Sequence, residues 1–117
     1  MHNFKELHIW QKSRVLVNEV YLLLANFPQD EKFGIAQQMK KAAISIPSNI
    51  AEGAGRSSDK DFNKFLDIAI GSAFELEAQL YLAFDLNFIS SEQLKIILLK
   101  VEELEKMIHG FKKRLKI

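Results

Sequence analysis

The residues of this sequence whose types could support chemistry are a few carboxylates among apolar neighbours, three histidines and one glycine-rich segment. Glu52, Glu75 and Glu77 are the carboxylates of interest, because general acid and base work uses carboxyl groups whose surroundings shift their proton affinity. No nucleophile or metal-ligand pattern stands beside them. Hydrogen-bond acceptance from Ser45, Ser48, Asn49 or Ser72, at a helix crossing or between subunits, therefore outweighs catalysis as their role. A di-metal bundle would need Glu-x-x-His on two helices, and His2, His8 and His109 do not offer it, since Glu105 stands four residues before His109. Gly53-Ala54-Gly55-Arg56-Ser57-Ser58 resembles a phosphate loop only faintly: it follows a helical pattern instead of a strand and lacks the last glycine, so it reads as a helix stop. No catalytic residue, cofactor or metal ion is expected.

Basic residues fall into two groups. Lys40 and Lys41 precede Arg56, Lys60 and Lys64 around the start of the third helix, while Lys112, Lys113, Arg114 and Lys116 close the chain. Solvated helix ends explain such clusters in many proteins, and positive charge at a helix C-terminus is favourable anywhere. Repetition in an oligomer would make each modest cluster multivalent, which is how a nearly neutral chain could hold RNA. No base-reading platform is visible.

Sixteen Lys and Arg against fifteen Asp and Glu leave a net charge of +1, so any attraction to nucleic acid or anionic lipid must be local. The 117 residues suit one domain, 1–117, with a core large enough to need no disulfide, and there is no cysteine. Neither a signal peptide nor a spanning apolar run is present, which makes a cytoplasmic, non-membrane protein the expectation.

The elements that position these residues are helices. Phe4 to Asn26 carries two apolar stripes at helical spacing, with Ser13 filling one gap and Arg14 interrupting the other, and Phe27-Pro28 stops it. The second helix spans Ile35 to Ala54, bent at Pro47, and ends where Gly53 and Gly55 can turn left-handed. Ser58-Asp59-Lys60-Asp61 forms a capping box for the third helix, Asp59 to Leu86, and Asn87 is its left-handed cap. Ser90-Ser91-Glu92-Gln93 caps the fourth, whose apolar line runs from Leu94 through Ile97, Val101, Leu104, Ile108 and Phe111 to Leu115. The fold class is all-α, an up-down-up-down four-helix bundle.

These helices are greasier than one core requires. Beside its main line the third helix carries Ile70, Phe74, Tyr81, Phe84 and Phe88, and the first has its second stripe with Trp10 and Tyr21. A lone bundle needs about one broad apolar face per helix. Self-association is the simplest use for the surplus, with Trp10, Tyr21, Ile70, Phe74 and Tyr81 as interface residues. The small residues of Ala69-Ile70-Gly71-Ser72-Ala73 would let two helices approach closely.

Several segments also resemble a family. They are Leu7-His8-Ile9-Trp10-Gln11-Lys12, Phe27-Pro28, Glu31-Lys32-Phe33-Gly34-Ile35 with Gln38, and Ser45-Ile46-Pro47-Ser48-Asn49-Ile50-Ala51-Glu52-Gly53 with Gly55-Arg56. Phe62, Phe65-Leu66, Ala69, Gly71-Ser72 and Glu75-Leu76-Glu77 continue the match. In this order they resemble the bacterial four-helix bundle proteins named for reading frames in intervening sequences of the 23S ribosomal RNA gene. The resemblance implies a homopentameric ring, no known enzymatic activity and a poorly defined molecular role; an RNA-associated scaffold is the reading that the repeated basic clusters add. It also implies a relative, the accessory variability determinant of diversity-generating retroelements, which partners a reverse transcriptase and binds nucleic acid. A strongly basic surface is expected of that relative, and +1 departs from it. The expected partners are thus further copies of the chain and RNA, with a protein partner as the alternative.

Overall fold

The computed structural model describes residues 1–117, and its four long helices are α1 (His8–Leu24), α2 (Ile35–Ala54), α3 (Asp59–Asp85) and α4 (Ser91–Lys112). Each packs on the next in sequence, α1 closes the square against α4, and the diagonal pairs stand farther apart. Short connections make neighbours antiparallel, as an up-down-up-down bundle requires. The long axis is 44 Å, set by α3, which at ~1.5 Å per residue reaches about 40 Å.

Small residues decide how the helices pack. Ala42 and Ala43 on α2 and Ala69 and Ala73 on α3 are buried, and α2 and α3 share the most extensive contact in the bundle. Around this seam, Met39, Ile46, Ile50, Phe62, Leu66, Leu76, Leu80, Val101 and Ile108 are almost wholly removed from water. Ser13, also fully buried, donates its hydroxyl to the Trp10 carbonyl at 2.8 Å, so a polar side chain fills a core gap without an unmet hydrogen bond.

The helix ends correct the sequence reading in three places. The first helix does not run from Phe4: Asn3 accepts from the Lys5 amide and starts a separate 3-10 turn, Phe4–Glu6, and extended Leu7 divides it from α1. Gly53 and Gly55 are not left-handed, since no glycine in the chain has positive φ. Gly55 instead ends α2 in right-handed geometry with its amide bonded back to Ala51 and Glu52. Ser58 accepts from the Asp61 amide at 3.2 Å, but the reciprocal Asp61 contact of a capping box is missing and Asp61 lies 3.9 Å from Lys64. The full box forms at Ser90 and Gln93, and Asn87 is left-handed as expected, at φ 64. Backbone helix continues unbroken through Pro47.

Gly53 is a glycine for lack of room. A Cβ there would stand 2.6 Å from Phe65 Cβ and 2.7 Å from Phe62 Cδ1, so the hydrogen lets the two helices meet at their shared corner. Gly53→Ala would gain helix propensity yet force α2 and α3 apart; a net loss of about 1–3 kcal/mol in urea denaturation is expected.

Candidate interaction surfaces

At the level of Pro47, the α2–α3 seam holds a polar knot. Ser72 Oγ donates to Ser45 Oγ at 2.7 Å, and Asn49 Nδ2 donates to the Ser45 carbonyl at 2.8 Å and to Ser45 Oγ at 2.9 Å. Asn49 thus reaches one turn back along the turn that contains proline, and Ser72 ties the result to α3. Of the polar network expected from the sequence, only Ser45, Asn49 and Ser72 come together. Ser48 and Glu75 are exposed, and Glu52 pairs with Arg56 at 3.2 Å on the surface. Glu77 faces away from the knot, toward α4.

Apolar surface that the protomer leaves uncovered lies on three faces, one of them between α1 and α4, where Val15, Leu22 and Ile96 are half exposed or more. Between α1 and α2 a groove of about 390 Å³ is lined by Phe4, Trp10, Arg14, Val17, Ile44, Pro47, Ser48 and Ala51. Phe4 meets the Trp10 ring edge-on at 4.9 Å, Arg14 lies over Trp10 at 5.5 Å, and Lys40 lies over Tyr21 at 5.0 Å. On the outer side of α3, Ile68, Phe74, Tyr81 and Leu82 are each about half exposed. Ile70, expected at an interface, is instead 7% exposed and belongs to the protomer's own core. It stands one turn from buried Leu66 and Ala73, on the side of α3 that faces α4.

The α3–α4 seam holds the one strongly perturbed acid. Glu105 is 7% exposed and lies against Glu77; Glu105 Oε2 and Glu77 Oε1 are buried without a hydrogen-bond donor. Burial first, then the hydrogen bond and charge of Glu77, and last the charge of Glu102 push the Glu105 carboxyl up to about 8. At neutral pH the Glu105 carboxyl is therefore protonated and donates to Glu77. The sequence signal was present: Glu105 sits four residues after Val101 and three before Ile108, on the apolar line of α4. Gln79, between Leu76 and Ala83 on α3, is a second buried polar residue with an unmet oxygen. None of the principal clefts is lined by Glu77 or Glu105, so the raised acid has no ligand-sized space beside it.

Residues 5–110 match the model of a family described as 23S rRNA-intervening sequence protein. The chain belongs to this family. It is similar, at 27% identity and a TM-score of 0.83, to a crystal structure from Bacteroides thetaiotaomicron described as a protein of unknown function from the S23 ribosomal protein family. The match covers 90% of this chain and 95% of that one. No curated protein matches the sequence. No helix of this intervening-sequence protein is long and apolar enough to cross a membrane, and no group of three or more potential ligands could hold a metal ion.

The basic residues regroup in this family member. Antiparallel packing brings the start of α3 and the end of α4 to one end of the bundle, where Arg56, Lys60 and Lys64 join Lys112, Lys113, Arg114 and Lys116. The Lys116 amide donates to Asp59 Oδ2 at 3.0 Å, and Phe62 packs on Phe111 at 5.5 Å between ring centres. Lys40 and Lys41 lie apart, on α2. Several charges at the basic end are already matched: Arg56 by Glu52, Lys64 by Asp61, Lys112 by Asp67. Lys60, Lys113 and Lys116 make no ion pair, and Arg114 lies over Phe111 at 5.9 Å. Asp59 is held below its ordinary carboxylate range, chiefly by the hydrogen bond from His2 at 2.9 Å and then by the Lys116 amide.

The acid pair makes stability depend on pH with a definite sign. Glu105 ionises near its ordinary 4.5 when unfolded and near 8 when folded. Its contribution is therefore whole below about pH 4.5, declines through neutral pH and is lost above about pH 8. In dilute, unassociated chain the melting temperature should fall between pH 6 and pH 9 by on the order of 5 °C, the response of a domain this size to about 1 kcal/mol. Thermal scans of Glu105→Gln should show that slope flattened.

Proposed function

We propose that this protein is a non-catalytic, self-associating scaffold of the intervening-sequence type that holds RNA by phosphate contacts at its basic end. The observation that carries this reading is the outer side of α3, where Ile68, Phe74, Tyr81 and Leu82 surround Gly71. A Cβ at Gly71 would meet nothing within 4 Å, so no contact inside the protomer calls for glycine in mid-helix. Glycine there costs roughly 1 kcal/mol in helix propensity, and close approach of another helix from outside is a physical use for it. A homopentameric ring is the assembly this reading adopts. The bend expected at Pro47 belongs to it too, because the missing amide frees a carbonyl one turn back.

Assembly supplies what net charge does not. A protomer at +1 attracts RNA weakly, but copies arranged around an axis all present Lys60, Lys113 and Lys116 on the same side, and simultaneous contacts multiply. Such binding tracks the phosphate backbone and ignores base identity. The test is retention of single-stranded RNA across a salt series. Wild type should lose affinity steeply as salt rises, with about 0.7 logarithmic units per logarithm of salt for each phosphate contacted. The triple variant Lys60→Glu, Lys113→Glu, Lys116→Glu should bind at least tenfold more weakly, as should Phe74→Asp through loss of assembly. Absence of RNA retention, with salt-insensitive capture of a protein, would instead favour an accessory subunit such as that of a retroelement reverse transcriptase.

A further inference from the structure

We propose that Asp59, an acid within the basic end, is the positioning residue that brings Lys116 to Lys60 and so arranges the cations for an RNA backbone. The proposal rests on the RNA binding proposed above and deepens it by naming what shapes that site. Asp59 is the first residue of α3, and both of its carboxylate oxygens are engaged. His2 Nε2 donates to Oδ1 at 2.9 Å, and the Lys116 amide donates to Oδ2 at 3.0 Å. One side chain thus ties the segment before the first helical turn and the segment after α4 to the same corner of the bundle.

Each of these segments has a second hold. The His2 amide donates to the carbonyl of Ala54, the last residue of α2, at 2.8 Å, and the His2 ring centre lies 5.0 Å from that of Phe62 and 6.1 Å from that of Phe111. Beyond α4 the chain turns tightly, with the Arg114 amide bonded to Phe111 and the Leu115 amide to Lys112, and Leu115 packs against the core. At Lys116 the backbone bond to Asp59 takes over, while the side chain is exposed and makes no ion pair.

The consequence is electrostatic. Held by its backbone at Asp59, Lys116 stands at the start of α3, where Lys60 is the next residue, and both ammonium groups stay free for phosphate. Crowding two such cations is unfavourable unless an anion sits among them. Asp59 supplies it, because the His2 hydrogen bond and then the Lys116 amide hold its carboxyl below the ordinary range and so keep it ionised. A segment already ordered also has less freedom to lose when RNA arrives. Glu52, Asp61 and Asp67 act in the opposite sense at this end, since each pairs with a basic side chain, Arg56, Lys64 or Lys112, and subtracts it from the site.

Retention of single-stranded RNA by the full chain across a salt series separates the two roles by sign. Asp61→Ala removes an acid that only pairs with Lys64 and should bind RNA as tightly as wild type or about twofold more tightly. Asp59→Ala also removes an acid, yet it should bind at least about threefold more weakly, and its salt slope should fall by about 0.7 for the lost Lys116 contact although no lysine has been changed. In the same variant the Lys116 amide proton should lose its hydrogen-bonded chemical shift. His2→Ala lies outside every helix, leaves Asp59 in place and should weaken retention in the same direction. Wild-type affinity and slope in Asp59→Ala, or a tightening like that of Asp61→Ala, overturns the inference and leaves RNA binding standing. Should Asp59→Ala fail to fold, His2→Ala decides, and wild-type retention there overturns it equally. A wild type that holds no RNA at any salt overturns both readings.

Discussion

The close seam between α2 and α3 is the constraint on which the rest of this structure depends. Alanine and glycine along it, with Gly53 at the corner where a Cβ would strike Phe62 and Phe65, let two long helices approach with little side chain between them. A seam built from small residues buries little apolar area per residue, so the larger side chains of α3 have to find cover elsewhere. Part of that cover is the α4 side, where Ile70, Leu66 and Leu80 are spent. Phe74, Tyr81, Leu82 and Ile68 remain outside, half in water. The Ser45–Ser72–Asn49 knot holds the seam at the level of Pro47, the turn in which helix hydrogen bonding is weakest.

This arrangement leaves the bundle with an unusual surface. The acid with the raised proton affinity, Glu105, is sealed between helices, and none of the principal clefts is lined by it. What the molecule offers is faces: an apolar groove edged by Arg14, an aromatic stripe beside an acid pair, and a basic end. Such faces are what the proposed assembly and phosphate-backbone binding would use. The charge of +1 conceals the asymmetry that matters, because antiparallel packing sorts Lys60, Lys113 and Lys116 to one end and Asp30, Glu31, Asp85 and Glu92 to the other.

Much of the fold was legible in the sequence because helical periodicity is strong and the caps at Ser58, Asn87 and Ser90 use local chemistry. What was not legible depends on distances between helices. Gly53 looked like a helix stop, yet its reason lies in Phe62 and Phe65, several residues ahead on another element. Ile70 and Phe74 are equivalent by composition; only the position of α4 sends one inward and leaves the other out. Glu77 was visible as an acid among apolar neighbours and Glu105 only by its distance from His109; their meeting requires the register of α3 against α4. The basic groups regrouped for the same reason, since order along the chain is not order around the bundle.

The central claim is that one copy of this chain leaves apolar surface on α3 that another copy must bury. Native mass spectrometry of wild-type protein at micromolar concentration addresses it with the least intervening assumption. The account requires an integer multiple of 13.5 kDa, five chains for the ring it adopts. A folded species at 13.5 kDa alone, unchanged as concentration rises, would contradict it.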